Sequence, residues 1–172
     1  GLNIALNEAR LSAGFQTDFV LKKLSLTHVV SSAINTQKTA FIQRNIYPAI
    51  SIPEEMMIIS DEKWLAFMIE QLLTNSLKYS YSEGKIDVTA IAHEETIQLS
   101  ITDYGVGIPA SDLPRVKRPF FTGENGRTFG EATGMGLYLV NQVAEGLDIQ
   151  LQIDSIFGQG TTITLVFPKI KQ

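Results

Sequence analysis

Cysteine is absent from the chain, which excludes disulfide bridges and thiolate metal sites and fits a reducing compartment. Histidine is scarce: His28 and His93 stand far apart, so no histidine metal cluster is expected. A long basic run is also missing, and the formal net charge is −4, which argues against a nucleic-acid groove. No apolar stretch reaches the roughly 18–20 residues that a membrane span needs, and no secretory signal opens the sequence. The opening at Gly1, inside a helical pattern, is what an excised fragment would show. A P-loop is lacking too, because no Lys-Ser or Lys-Thr follows the glycines of "GEATGMGLYLV". Leu139 stands where a dinucleotide fingerprint would have its third glycine.

What is present is an ordinary folded composition, 44% hydrophobic and 19% charged. A chain of 172 residues is most simply one domain, large enough to bury ~70% of its unfolded surface. Residues 2–12 read as the end of a helix and 24–45 as a second helix, with Val29, Val30, Ala33, Ile34 and Phe41 inward. "IYPAISI" and "MMIIS" read as short strands. "DEKWLAFMIEQLLTNSLKYS" then reads as an amphipathic helix whose first turn Asp61 would cap. "GKIDVTAIAH" and "TIQLSITD" alternate as a hairpin joined at His93-Glu94-Glu95, and "DIQLQIDS" and "GTTITLVF" as a second hairpin. Between the hairpins lies "GLYLVNQVAEGL", another helix, preceded by a long Gly- and Pro-containing stretch, 104–135, of the kind used for lids. The predicted class is α+β, a two-layer sandwich with a mixed, mostly antiparallel sheet covered by helices on one face.

Several polar residues sit where apolar ones are expected. In "EQLLTNSLKYS", residues 70–80, Asn75 falls on the shoulder of the arc formed by Leu65, Met68, Ile69, Leu72 and Leu73, with Gln71 and Lys78 beside it and Tyr79 beyond. In "TIQLSITDYGVGIP" the alternation of Ile97, Leu99 and Ile101 continues to Asp103, so a carboxylate points to the apolar face. Such a group needs donors. They are supplied either by nearby turn amides alone or by a ligand as well. Gly105 and Gly107 read either as a plain turn or as backbone that something approaches closely. Gly134 and Gly136 open a helix, where bare N–H groups and the helix dipole favour phosphate, although many such turns bind nothing. Thr161 shares the inward parity of Ile163, Leu165 and Phe167, so its hydroxyl needs a partner.

The order and spacing of these signals are more specific than any one of them. Asn75, then Asp103-Tyr-Gly-Val-Gly-Ile-Pro, then Gly134-Met-Gly-Leu, then Gly158-Gln-Gly-Thr resemble the ATP-binding fold of histidine kinases, gyrase, Hsp90 and the MutL repair ATPases. "NSLKYS" is similar to the asparagine box of sensor histidine kinases. "RPFFTGENGRTFGEATGMGLYLV" resembles the intramembrane-sensing, antimicrobial-peptide-responsive kinases of low-GC Gram-positive bacteria. The resemblance implies that Asn75 ligates Mg²⁺, that Lys78 reaches a phosphate and that Tyr79 packs near adenine or ribose. It implies that Asp103 accepts the adenine amino hydrogen, with Gly105, Gly107 and Ile108 against the base and Thr161 nearby. Thr133, Gly134, Met135, Gly136 and Leu137 would line the phosphates. Phe120 and Phe121 would anchor the lid, and Arg127 would either meet the terminal phosphate or remain solvated.

There are departures. Gln71 stands where many sensor kinases carry a second asparagine, so an amide oxygen is offered to Mg²⁺ on a longer arm. The phosphoacceptor box, a histidine followed by an acidic residue and later Thr-Pro, has no match. "HEETIQ", 93–98, lies at a hairpin turn without proline, and His28 is followed by "VVSSA". The resemblance thus implies residues 1–26 as the end of a dimerising helix plus linker, and 27–172 as an ATP-binding catalytic domain. It further implies an acceptor histidine on a helix elsewhere in the parent kinase, a response regulator, pairing of the parent with a peptide-exporting ABC transporter, and a cytoplasmic position on a cell-membrane protein. A serine kinase of the anti-sigma type and a non-catalytic nucleotide-binding module are the alternative readings.

Overall fold

Two hairpins and a capped amphipathic helix frame the protein in a computed structural model that describes residues 18–81, 83–116 and 136–170. Along the chain run β1 (Leu21–Ser25), α1 (Leu26–Thr36), α2 (Lys38–Gln43), β2 (Tyr47–Ser51), β3 (Met57–Asp61) and α3 (Glu62–Tyr79). After them come β4 (Lys85–Ala92), β5 (Thr96–Asp103), a 3-10 turn at Leu113–Arg115, α4 (Gly136–Gly146), β6 (Gln150–Ile156) and β7 (Gly160–Pro168). The main sheet has the order β2-β4-β5-β7-β6 and only the β2–β4 pair is parallel. The predicted class, mixed and mostly antiparallel, is observed. A separate antiparallel pair, β1 with β3, was not legible in the sequence, since only Leu24 of β1 is buried and no alternation shows.

One face of the main sheet carries the core. Ile86, Val88, Leu99, Ile101, Ile163 and Leu165 pack against Leu65, Met68, Ile69, Leu72 and Leu73 of α3 and Val140 and Val143 of α4. The other face is polar, with hydroxyl pairs Ser100–Thr164 and Thr102–Thr162, each at 2.9 Å, crossing β5 and β7. That division is why the strands alternate so cleanly. At the start of α3, Asp61 caps as expected, its carboxylate accepting from the Trp64 N–H at 3.0 Å. A cap contributes ~1 kcal/mol, whereas each fully buried leucine contributes roughly 1.5–3 kcal/mol. The apolar arc of α3 therefore decides where this helix sits, and with it where Asn75 points.

The expected single helix over 24–45 is corrected to α1 and α2. Ser25 caps α1 by accepting from the His28 N–H at 3.2 Å, and the helix breaks at Gln37. The Gln37 side chain turns toward α3, its Nε2 donating to the Glu70 carbonyl and to Thr74 Oγ1, both at 2.8 Å. A tertiary bond has overridden the helical pattern. In β3, Ser60 is 1% exposed and its hydroxyl has no hydrogen-bond partner among the described residues. Ser60→Ala is accordingly expected to raise unfolding stability by ~1 kcal/mol in urea titrations. A comparable loss would show that the hydroxyl is satisfied.

Candidate functional site

At one end of the sheet the inward face turns from apolar to polar on three neighbouring strands. Asp103 ends β5 after Ile101, Thr161 is the second residue of β7, before Ile163, and Ser155 follows Ile153 in β6. The register sets Asp103 opposite Thr161 and Thr161 opposite Ser155. Asp103 is 3% exposed. Its Oδ1 accepts from the Gly105 N–H at 3.0 Å, and the Thr161 backbone also bonds to it. Turn amides thus do serve this group, as the simpler reading expected, but a carboxylate has about four lone-pair sites and keeps capacity for further donors. Burial pushes its pKa up to about 6, the backbone bonds from Gly105 and Thr161 opposing that only in part.

The glycine loop after β5 is held from both sides. The Val106 N–H donates to the Tyr79 carbonyl at 3.1 Å, and the Val106 carbonyl accepts from the Gly158 N–H at 2.6 Å. A Cβ on Gly105 would overlap the Tyr79 carbonyl oxygen. One on Gly107, where φ is +72°, would overlap the Ile156 carbonyl oxygen. Only glycine permits this approach at either position. The loop therefore ties the last turn of α3 to the tip of the β6–β7 hairpin. The Ile108 N–H donates to Ser155 Oγ at 2.7 Å, and Thr161 Oγ1 lies 2.7 Å from the same hydroxyl. The partner that the Thr161 hydroxyl needed is thus a side chain of the protein.

On α3, Asn75, Lys78 and Tyr79 are half-buried, and burial raises the Tyr79 phenol above its ordinary pKa. Gln71 reaches toward the start of α4, where a Cβ added to Gly136 would lie 3.3 Å from its amide oxygen. Leu137 packs partly against the core just beyond. The structure thus gathers Asp103, Thr161, Gly105, Gly107 and Ile108 around one loop joined to Tyr79, and sets Gln71 beside Gly136. Phe120, Phe121, Arg127, Thr133, Gly134 and Met135 lie outside the described residues, as does most of the expected lid. His93 is exposed in the β4–β5 turn, where its N–H donates to the Thr96 carbonyl at 2.8 Å, and His28 is exposed on α1. Sequence reasoning missed Ser155, although it shares the parity of Leu151 and Ile153 just as Asp103 shares that of Ile101.

The donor set suits a magnesium nucleotide. A buried carboxylate with spare acceptor capacity fits a purine amino group, and side-chain amide oxygens are hard donors for Mg²⁺. Among the described residues no group of three His, Asp or Glu side chains forms a metal cage.

Known proteins resemble this chain. The chain is 39% identical over 168 residues to the sensor histidine kinase YxdK of Bacillus subtilis, covering 97% of this chain and 51% of that protein. It is 38% identical to the sensor protein BceS of Halalkalibacterium halodurans, covering 90% of this chain and 46% of that one. The chain thus spans about half the length of the curated relatives it matches. Among solved structures, the Acinetobacter baumannii histidine kinase AdeS shares the fold, with a TM-score of 0.80 at 18% identity over 99% of this chain and 77% of that one. A family model described as histidine kinase-, DNA gyrase B- and HSP90-like ATPase matches residues 60–171, from the end of β3 through the last strand. The match takes in every element that frames the polar strand ends and the glycine loop, and the chain belongs to this ATPase family.

Proposed function

We propose that the chain is the ATP-binding catalytic part of a sensor histidine kinase, which holds Mg-ATP and passes its γ-phosphoryl group to a histidine on a helix outside these residues. The observation that carries this reading is the buried Asp103 carboxylate, set opposite Thr161 against a loop that tolerates only glycine at positions 105 and 107. Asp103 accepts the adenine amino hydrogens, and Gly105, Gly107 and Ile108 let the base lie against backbone. Tyr79 closes the site from α3, with Thr161 at the strand end. Asn75 offers its amide oxygen to Mg²⁺, with Gln71 as a second oxygen beside Gly136, and Lys78 neutralises phosphate. Gly136 and Leu137 begin the helix that faces the phosphates; Thr133, Gly134 and Met135, which the resemblance assigns to the same role, lie outside the described residues. Phe120, Phe121 and Arg127, which the resemblance assigns to the lid, lie outside the described residues. Bound Mg²⁺ supplies charge neutralisation of the phosphate oxygens; the rest of the catalysis is positioning of an imidazole nucleophile.

Similarity to a sensor histidine kinase and a sensor protein favours this reading over the serine kinase and the non-catalytic module. With it come the proposed partners, a response regulator and the parent's own acceptor helix, together with a peptide-exporting ABC transporter for the parent. It also implies the division at residues 26 and 27 and a cytoplasmic place on a membrane protein. Among the described residues no helix is long and apolar enough to cross a membrane. Titration calorimetry tests the site. ATP should bind weakly without Mg²⁺, and Asn75→Asp, nearly isosteric, should weaken Mg-ATP about tenfold or more by setting a negative charge beside the triphosphate. Its melting temperature should stay close to that of the native chain. Unchanged affinity would remove Asn75 from the site.

A further inference from the structure

We propose that Ser155 is the positioning residue of the adenine end of the site, locking the glycine loop and the Thr161 rotor together from the neighbouring strand. The role rests on the ATP reading, whereas the bonds themselves do not. Ser155 Oγ lies 2.7 Å from the Ile108 amide nitrogen, 2.9 Å from the Gly160 carbonyl oxygen and 2.7 Å from Thr161 Oγ1. A serine hydroxyl has one proton and two lone pairs. The Ile108 N–H can only donate and the Gly160 carbonyl can only accept, so the serine proton goes to Gly160 and one lone pair to Ile108. The other lone pair takes the Thr161 proton.

Every bonding position of Ser155 is then used, and this has two consequences. Ile108, three residues past the glycine at 105, is pinned to β6, which fixes the loop against which the base would lie. Thr161, its proton turned toward β6, presents lone pairs to the site. Ionised Asp103 is also acceptor-only, so the two neighbouring strand ends offer acceptors together. That pair suits the amino group of adenine and disfavours a carbonyl in its place, as in hypoxanthine. A site built to bond a polar group discriminates strongly against an analogue that cannot match it.

Ser155→Thr and Ser155→Val decide the matter, since they are equal in size and differ only in the hydroxyl. Ser155→Val is expected to weaken Mg-ATP about tenfold, the loss of roughly one hydrogen bond, and to narrow the preference for ATP over inosine triphosphate by a similar factor. Binding of Mg-tripolyphosphate, which has no base, should be unchanged. Ser155→Thr should bind within about twofold of native. Without any nucleotide, exchange of the Ile108 amide should quicken in Ser155→Val and not in Ser155→Thr. Equal ATP affinity in the native chain and both variants, or equal losses in both, would overturn the role of the hydroxyl. A native chain that binds no ATP would instead overturn the ATP reading, and the adenine role with it.

Discussion

Asp103→Asn is expected to weaken Mg-ATP by roughly 10–150-fold, the loss of one hydrogen bond to a charged acceptor, ~1.5–3 kcal/mol. The two side chains are nearly the same shape, but an amide has one acceptor oxygen where the carboxylate has two, and Gly105 and Thr161 already draw on them. The same substitution should change how stability depends on pH. The folded-state pKa of Asp103 lies at about 6, above its ordinary 3.8, because burial penalises the charged form. The fold therefore favours the protonated acid. That contribution is complete below about pH 3.8 and is lost as the pH rises through about 6. A shift of this size corresponds to about 3 kcal/mol. The ligand-free variant should gain on the native chain by up to that amount between pH 4 and pH 7.5, in urea unfolding at each pH. Affinity should move the opposite way. As the pH falls through about 6 the native chain loses its acceptor, so the ratio of native to variant affinity should shrink toward one. A ratio that stays constant from pH 5 to pH 8 would show that the carboxylate does not meet the base. The site thus carries a buried charge that weakens the empty fold, a cost that binding offsets.

Incubated alone with γ-labelled Mg-ATP, the chain is expected to acquire no acid-labile phosphate. Phosphoryl transfer needs an imidazole nitrogen in line with the γ-phosphorus as the bond to ADP breaks. His93 stands at the turn that begins β5 and Asp103 at the other end of that strand, 8 residues long or roughly 25 Å. His28 faces solvent on α1, its backbone N–H bonded to the Ser25 hydroxyl. Adding the parent's dimerising helical region as a separate chain should restore transfer, but slowly. A flexible tether supplies a millimolar effective concentration, so an acceptor at ~10 µM should react roughly 100-fold more slowly than a tethered one. The readout is label that is lost in acid and retained in base. Acid-labile label on the lone chain that disappears in His93→Ala would overturn the exclusion of "HEETIQ". Acid-stable label on an added protein substrate would favour the serine kinase.

Periodicity alone determined most elements of this protein. The alternation of Ile97, Leu99 and Ile101, and of Ile163, Leu165 and Phe167, identified both core strands, and parity alone put Asp103 and Thr161 on the inward face. Asp61 before an amphipathic run marked the start of α3, because capping and helical spacing are local rules. Family identity was legible for a different reason: the ordered Asn, Asp-Gly, Gly and Gly-Thr motifs are properties of the linear chain.

Contacts between distant segments decided the remainder. The helix break at Gln37 exists because Glu70 and Thr74 accept its amide, and a helical pattern holds no sign of those partners. Strand β1 exists because β3 offers an edge to pair with, although its own residues do not alternate. The glycines at 105 and 107 could have made an ordinary turn. Only the closeness of the Tyr79 and Ile156 carbonyls shows that each is required. Ser155 makes the same point within the site. Its parity was readable, but its meaning depended on β6 pairing with β7 in a register that sets it opposite Thr161 and within reach of the Ile108 amide. Sequence fixes which face a side chain takes, since that follows from the local backbone. Which partner it meets there is decided by register and packing, which join residues that the chain keeps apart.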